Sequence, residues 1–549
     1  MTIKRYDRIT PEGTKDLLFG ECAARREITE RIRTIFEEES YREVITPGFE
    51  FYDVFSASEM YFPQESMYKA VDSRGRIMAA RPDSTIPIAR IKATRLKGCP
   101  LPVRLYYAQC VYRQNPVLRG HSNEMMQMGV ELIGESGFRA DMEALTLGVK
   151  VLSACQGEGY RLELGHVGIF NLLMERLDAD EDKKNQIHEM MISKNYAGLS
   201  EKLDCFPESQ TVEILKGLPR LFGGEEVFAQ ARALFDGYDR RLVEMCAYLE
   251  EIFRALRDTG LSEHLIVDFG LVNQADYYTS LAFQGYIPAI GEPVLSGGRY
   301  DNLLKNFGED LPATGFGVNV DLLSADWMRR KEEKPRAEQK NSCLRIALTK
   351  GRLETKTTEL FEKMGFDCIN LREKGRKLLL PIPGQNIEVV LAKAADVITY
   401  VEHGVCDMGI VGLDTIMEYG GTFYEVLDLG FGRCRFALAA PKGADMYSGY
   451  AEKRIASKYP KVTRAFFEEK QMDVQIIKIE GSVELAPLLS LVDGIVDLVE
   501  TGTTLKENGL EVLEEIRSVS ARLIVNEASM KMKKKEIDSL IEAMQKEVE

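Results

Sequence analysis

No folded core can be continued through the residues from Met328 to Ser342, which read Met-Arg-Arg-Lys-Glu-Glu-Lys-Pro-Arg-Ala-Glu-Gln-Lys-Asn-Ser. A stretch so charged, with one proline and almost no apolar side chain, reads as a solvated linker. It imposes a cut: one domain over 1–326, a linker at 327–342 and a second domain over 343–549. A chain of 549 residues exceeds what a single hydrophobic core serves, which agrees with the cut.

Charge and cysteine usage exclude several classes. A formal charge of −15 and a pI near 5.2 argue against a nucleic-acid surface, which needs clustered Lys and Arg, so no tRNA or DNA partner is expected. The ten cysteines form no CxxC and the five histidines no HxH or HExxH. Structural zinc is therefore not expected, and reduced thiols fit a cytoplasmic protein. The N-terminus lacks the apolar core of a signal peptide, and no run approaches membrane-spanning length, so no membrane partner is expected either.

Beyond the linker, apolar β-branched runs alternate with helical spacing. Strands are expected at Leu344–Leu348, Ile387–Ala392, Met408–Val411, Phe436–Ala440, Val474–Lys478 and Ile495–Val499. This alternation predicts an α/β portion with largely parallel sheets, in two lobes with a cleft between them. One corner stands out. The strand ending Asp497-Leu-Val-Glu500 runs into Thr501-Gly502-Thr503-Thr504, and the spacing from Leu505 to Ile516 predicts a helix. Such a turn offers successive N–H groups and hydroxyls to a phosphate monoester, with carboxylates placed for sugar hydroxyls. An ordinary strand–turn–helix corner fits the loop alone equally well. Thr349-Lys350-Gly351-Arg352, Glu373-Lys-Gly-Arg376-Lys377 and the glycine-rich Gly404–Asp414 fit anion contacts or plain surface turns.

Taken in order, Thr349–Glu354, Asp396–Gly404, Asp407–Gly412, Leu429–Arg435, Ile455–Pro460 and Gly481–Pro487 resemble the catalytic chain of ATP phosphoribosyltransferase, the first enzyme of histidine biosynthesis. The resemblance spans about 343–549 and implies the short form, without an appended regulatory domain. It implies a two-lobed α/β phosphoribosyltransferase resembling periplasmic-binding-protein folds, lobe I at about 343–434 and 522–549, lobe II at about 435–521. It also implies roles. Catalytic Asp497 would take ribose hydroxyls, and Glu500, Thr501, Gly502, Thr503 and Thr504 the 5-phosphate. Catalytic Arg352 and Arg376 would meet pyrophosphate and triphosphate, with Lys350, Gly351 and Glu484 also binding substrate. Mg2+ would be held mainly by substrate phosphates. Three departures accompany the match: one acid, Asp497, where many phosphoribosyltransferases have two, Lys393 where arginine is usual, and Ile398 where proline is usual.

Before the linker, an amphipathic helix is expected over about Cys22–Glu39, with strands at Glu43–Thr46, Val103–Cys110, Met125–Ile133, Ile266–Leu271 and Ser280–Phe283. A mixed-charge helical insertion occupies about 178–255. Thr46–Glu50, Tyr112-Arg113, Gln127–Glu131, Leu295–Asp301, Gly315–Gly317 and Asp276–Thr279 together resemble the core of a class II aminoacyl-tRNA synthetase, the histidyl enzyme. The resemblance implies an α+β domain, an antiparallel sheet with helices. Asp83, Thr85, Gln127 and Glu131 match positions that hold a histidine α-amino group. Arg113 matches the carboxylate contact, and Tyr277 and Tyr278 the imidazole region.

The departures redirect the function. The family's activating arginine is missing from Leu271–Ala275, and its ATP-binding arginine from Gly317–Leu323. A pocket that binds histidine without activating it resembles the separate regulatory chain of short-form ATP phosphoribosyltransferases. The combined expectation is a transferase inhibited by histidine, assembled as a homo-oligomer, with fixed stoichiometry of the two halves. The rivals are a bifunctional protein that still activates histidine and a non-catalytic small-anion-binding module.

Overall fold

The computed structural model describes residues 7–56, 63–116, 119–156, 159–272, 277–288, 290–332, 343–448 and 452–548. They form two compact units, Met1–Gln339 and Lys340–Glu549. None of the described helices is long and apolar enough to cross a membrane.

The first unit is built on a nine-stranded sheet. Its strands are β1 (Arg42–Glu43), β5 (Val103–Tyr112), β6 (Glu124–Ile133), β7 (Arg161–His166), β8 (Phe222–Gly223), β9 (Leu265–Asp268), β10 (Leu281–Tyr286), β11 (Leu295–Arg299) and β12 (Ala313–Asn319). They lie in the order β1-β5-β6-β12-β11-β10-β7-β9-β8. The stretch from β5 to β7 is antiparallel throughout, while β1 and β9 join in parallel. A small sheet of β2 (Phe49–Phe51), β3 (Lys69–Val71) and β4 (Ile77–Ala80) sits beside it in the chain, ordered β2-β4-β3.

Helix Gly20–Glu38 lays the predicted stripe of Ile28, Ile32 and Phe36 into the core, where Phe36 meets the rings of Tyr106 and Phe316 at 5.8 and 6.0 Å. The helical insertion is less separate than its composition suggests. Leu242, Leu249 and Phe253 share one apolar cluster with Ile28 and Leu164, and β8 within the insertion extends the main sheet.

The linker reading needs correcting at its start. Residues 327–332 close helix Val320–Glu332, and only 333–342 lie outside the described residues. Charge there is used for packing. Arg31 and Lys331 stack over Trp327 at 4.2 and 4.7 Å, and Arg329 and Arg330 neutralise buried Asp326.

The second unit holds two sheets. The first contains β13 (Leu344–Thr349), β14 (Leu379–Pro381), β15 (Ile387–Ala392), β16 (Met408–Gly412), β17 (Tyr424–Asp428) and β23 (Ala521–Val525). The second contains β18 (Cys434–Pro441), β19 (Lys453–Ser457), β20 (Val474–Lys478), β21 (Gly494–Val499) and β22 (Leu510–Val519). Their orders are β14-β15-β13-β16-β23-β17 and β20-β19-β21-β18-β22. Each sheet has three parallel strands and antiparallel partners beside them, so the sheets are mixed and not largely parallel. Apart from the edge strand β14, the antiparallel pairings involve β17, β18, β22 and β23, by which the chain passes from one lobe to the other and returns.

The helix expected over Leu505–Ile516 is not there. Thr503–Glu507 makes one short helix, and β22 follows as a ten-residue strand against β18. Leu510, Leu513, Ile516 and Val519 recur at every third residue, which mimics helical spacing. The register explains it: Phe436 faces Arg517 and Ala437 faces Glu515, while Leu438 faces Glu514 and Ala439 faces Val512. Ile516 and Leu513 are thus the extra residues of two β-bulges, each resetting the two-residue alternation.

Candidate functional site

In the second unit, β13 delivers Thr349 to the turn at the head of helix Arg352–Lys363. Gly351 has φ +101°, a left-handed conformation that favours glycine, and its N–H donates to Glu354 Oε2 at 3.3 Å. Lys350 and Arg352 are exposed. Lys374 forms an ion pair with the same Glu354, which ties the Glu373–Lys377 turn to this corner. Arg376 on that turn is exposed, and its side chain makes no ion pair or hydrogen bond among the described residues.

The other lobe contributes β21 and the loop after it. Asp497 is partly buried and accepts the Leu498 N–H at 2.8 Å. Burial pushes its carboxyl above the ordinary range against the Leu498 N–H; Glu484 adds to the rise, and Lys458 opposes it more weakly. Glu484 is half-buried just before the short helix Leu485–Leu488. Thr501 and Thr503 hydroxyls lie 3.0 Å apart around Gly502, which has φ +75°, and Thr504 is exposed in the first turn beyond. Because that helix is one turn long, what this corner can offer an anion is the loop's own N–H and hydroxyl groups, with little from a helix dipole.

Glu500 joins the lobes. Its carboxylate lies 2.6 Å from Arg352 Nη1, and its carbonyl accepts from Arg435. The structure therefore brings Arg352, the 500–504 loop, Asp497 and Glu484 to one cleft. A second tie lies between helix Leu413–Tyr419 and the start of helix Pro460–Glu469. Tyr459 donates to Asp414 at 3.1 Å, and the Lys461 and Val462 N–H groups donate to Glu418 at 3.0 and 3.2 Å. Sequence reasoning gave Tyr459, Glu418, Lys461 and Val462 no role of their own. A tyrosine or lysine inside a quoted motif signals too little without the fold.

The first unit holds a buried cluster of acids and tyrosines where the resemblance expects the pocket. Glu131 on β6 is 1% exposed, accepts from Thr85 at 2.6 Å and also accepts from Tyr300. Asp83 caps helix Thr85–Ala93 through the Ile86 N–H at 2.9 Å and accepts weakly from Tyr277 at 3.4 Å. Burial raises both carboxyls; Glu131 is pushed up to about 8, with Asp83 adding to it after two opposing hydrogen bonds. Burial among these acids also drives Tyr107, Tyr277, Tyr278 and Tyr300 upward. Tyr277 and Tyr278 meet edge-on at 4.9 Å. Arg113 donates to the Pro82 carbonyl at 2.8 Å and acts favourably on Asp83. Gln127 accepts from Tyr107 at 3.3 Å.

Tyr107 and Tyr300 complete the wall, and sequence reasoning missed both. So it did the floor: a Cβ on Gly315 would stand 2.2 Å from Glu131 Oε2 and 2.2 Å from the Val130 carbonyl. Gly315→Ala is expected to cost about 2–3 kcal/mol in urea unfolding of the intact chain. Residues 273–276, which take in most of the missing-arginine stretch and Asp276 of the quoted histidine segment, lie outside the described residues.

Comparison with known proteins places these features. Residues 13–323 match the family model of histidyl-tRNA synthetase, and 393–546 that of ATP phosphoribosyltransferase. An ATP phosphoribosyltransferase of Clostridium kluyveri is 58% identical over 205 residues, 37% of this chain and 94% of that one. The same organism's ATP phosphoribosyltransferase regulatory subunit is 41% identical over 319 residues, 58% of this chain and 81% of its own. The chain belongs to the ATP phosphoribosyltransferase family, catalytic and regulatory parts together. A crystal structure of an ATP phosphoribosyltransferase regulatory subunit/histidyl-tRNA synthetase from Bacillus halodurans agrees in fold. Its TM-score is 0.54 at 29% identity, over 71% of this chain and 94% of that one. Within the family, this chain carries as one polypeptide what its relatives in Clostridium kluyveri carry as two.

Proposed function

We propose that the second unit transfers the phosphoribosyl group of phosphoribosyl pyrophosphate to N1 of the adenine of ATP, releasing pyrophosphate, and that histidine bound in the first unit inhibits this step. The observation that carries the catalytic reading is the meeting of Arg352 with the 500–504 loop across the cleft. One lobe there offers a cation for the leaving pyrophosphate, while the other offers hydroxyls and N–H groups for the 5-phosphate.

The adenine N1 attacks the anomeric carbon as its bond to pyrophosphate breaks, so the sugar passes through an oxocarbenium-like state. No covalent enzyme intermediate is needed. Orientation of the ribose by Asp497, anchorage at Thr501–Thr504 and charge neutralisation by Arg352 and Arg376 supply the rate. Magnesium suits the donors present as an ion carried by the substrate. Substrate phosphate oxygens would hold most of it, with the carboxylates of Asp497 and Glu484 near enough to help. When bound, it neutralises leaving-group charge.

In the first unit, two buried carboxylates with no lysine or arginine in ion-pair distance among the described residues suit an ammonium, and the tyrosine wall suits a flat ring. Retained histidine activation has less support. The Gly317–Leu323 segment carries Asp321, paired with Arg25 at 2.5 Å, where adenylate chemistry needs a cation.

With ATP, phosphoribosyl pyrophosphate and magnesium, the chain is expected to form phosphoribosyl-ATP, and histidine is expected to slow it. Lack of product defeats the catalytic reading; product formation indifferent to histidine defeats the regulatory one. By linkage, inhibition through binding requires that phosphoribosyl pyrophosphate weaken histidine binding in turn.

A further inference from the structure

We propose that Glu418 is a positioning residue for the transferase reaction, holding the two lobes at the spacing in which Arg352 and the 500–504 loop engage one substrate; this rests on the phosphoribosyl transfer proposed above. The placement follows from strand order. β13 and β16 are parallel neighbours in the first sheet of this unit, and β19 and β21 in the second. Arg352 follows β13 and Glu500 follows β21, while helix Leu413–Tyr419 follows β16 and helix Pro460–Glu469 follows β19. The contact of Arg352 with Glu500 and that of Glu418 with the Lys461 and Val462 N–H groups thus arise from adjacent strands in both sheets.

The chain passes between the lobes twice, and these crossings are bonded to each other. The Leu429 N–H donates to the Ala521 carbonyl and the Ala521 N–H to the Phe431 carbonyl, each at 2.9 Å. A paired crossing of this kind can act as a hinge. Beyond it, the lobes meet through helix Leu413–Tyr419. Leu413 lies in the apolar cluster of Phe436, Tyr459 and Val462, with Ile416 and Met417 packed against it. Ile416 also packs against the first lobe's cluster of Val397, Val401 and Phe423. Apolar packing resists separation but sets no direction.

Glu418 supplies the direction. One carboxylate oxygen, Oε2, accepts from two successive N–H groups of the other lobe, Lys461 at 3.0 Å and Val462 at 3.2 Å. Burial raises this carboxyl, and the Val462 and Lys461 N–H groups oppose the rise, followed by the charges of Lys478 and Lys461. All of these opposing groups belong to the second lobe, so the carboxylate is accommodated at this one spacing. A substrate with a 5-phosphate at one end and pyrophosphate at the other must be gripped by both lobes at once. A misplacement of about 1 Å between the two grips is enough to cost about a hundredfold in rate.

The test is steady-state formation of phosphoribosyl-ATP by the full chain, with ribose 5-phosphate as a competing ligand that needs only the lobe of the 500–504 loop. Glu418→Ala is expected to lower kcat/KM for phosphoribosyl pyrophosphate by about tenfold or more, while the inhibition constant of ribose 5-phosphate stays within about twofold. Glu418→Gln, whose amide oxygen can accept both N–H groups, is expected to stay within about threefold of the parent. A smaller loss in Glu418→Ala, a loss that glutamine does not restore, or a ribose 5-phosphate constant outside its bound overturns the proposal. The last result would mean a disturbed loop, because lobe spacing does not matter to a ligand held by one lobe. If Glu418→Ala does not fold, Glu418→Asp, with the same charge on a shorter stem, is read by the same criteria. A parent chain that forms no phosphoribosyl-ATP defeats the proposed function itself; an active parent with an unaffected variant defeats this inference alone.

Discussion

Asp497→Asn is expected to lower kcat/KM for phosphoribosyl-ATP formation by about 10²–10³, with no loss of stability. The size is that of removing one preorganised electrostatic partner from a developing charge. The second half follows from the surroundings of the residue. The Leu498 N–H donates to Asp497 Oδ1, and an asparagine oxygen accepts the same bond. Burial and Glu484 make the carboxylate costly where it stands, so the amide removes a penalty that grows as pH rises above the ordinary carboxyl range. Steady-state kinetics and urea unfolding on one preparation would show a dead enzyme of equal or greater stability. Activity within about tenfold of the parent would remove Asp497 from the reaction.

Glu131→Gln is expected to weaken histidine binding by about a hundredfold, as read by calorimetric titration of the intact chain. A charge-assisted contact to an ammonium is exchanged for a neutral one, a difference of about 2–3 kcal/mol. Thr85 donates to Oε1 and Tyr300 to Oε2, so in the amide one hydroxyl keeps its acceptor while the other turns to accept from the NH2, and the wall stays in place. Stability is expected to move the other way. The folded carboxyl is raised to about 8 from an ordinary 4.5. Between those values the folded chain holds a proton that the unfolded chain has released, so stability falls as pH rises and levels off above the folded value. The variant escapes this loss. Its advantage is therefore absent below about pH 4.5 and on the order of a few kcal/mol by pH 8. A variant that binds histidine as tightly as the parent would move the ammonium site elsewhere.

Regular elements were legible where one periodicity ran unbroken. Ile28, Ile32 and Phe36 announce their helix, and Ile387–Ala392 and Val474–Lys478 coincide with strands β15 and β20. β22 was illegible because two bulges turn a two-residue period into a three-residue one. The start of the linker was misread for a different reason. Arg329, Arg330 and Lys331 are charged, yet each has a buried acid or an indole to lie on. Composition reports how polar a side chain is; its partner decides whether it is solvated. The Thr501–Thr504 loop and the acids Asp83 and Glu131 stood out because each lies in a contiguous motif. Tyr107 and Tyr300 did not, since their contacts with Gln127 and Glu131 join segments distant in sequence. Resemblance to the family carried the assignment of function, and geometry carried the assignment of neighbours.

The contact between Arg352 and Glu500 has one more consequence. Both side chains are more than half exposed, 52% and 60%, so the pair is cheap to open. The empty cleft thus already contains the counter-ion of its own anion-binding cation. A substrate oxygen that reaches Arg352 displaces a carboxylate instead of bulk salt, and entry becomes an ion exchange. Such an exchange is close to neutral for a single weak charge and favours a polyanion that can occupy several cations at once. The released Glu500 is left beside the incoming phosphates, where its repulsion discourages any ligand too short to hold both ends of the cleft. On the proposed function, the loop assigned to the sugar phosphate would also set the minimum charge a visitor must bring.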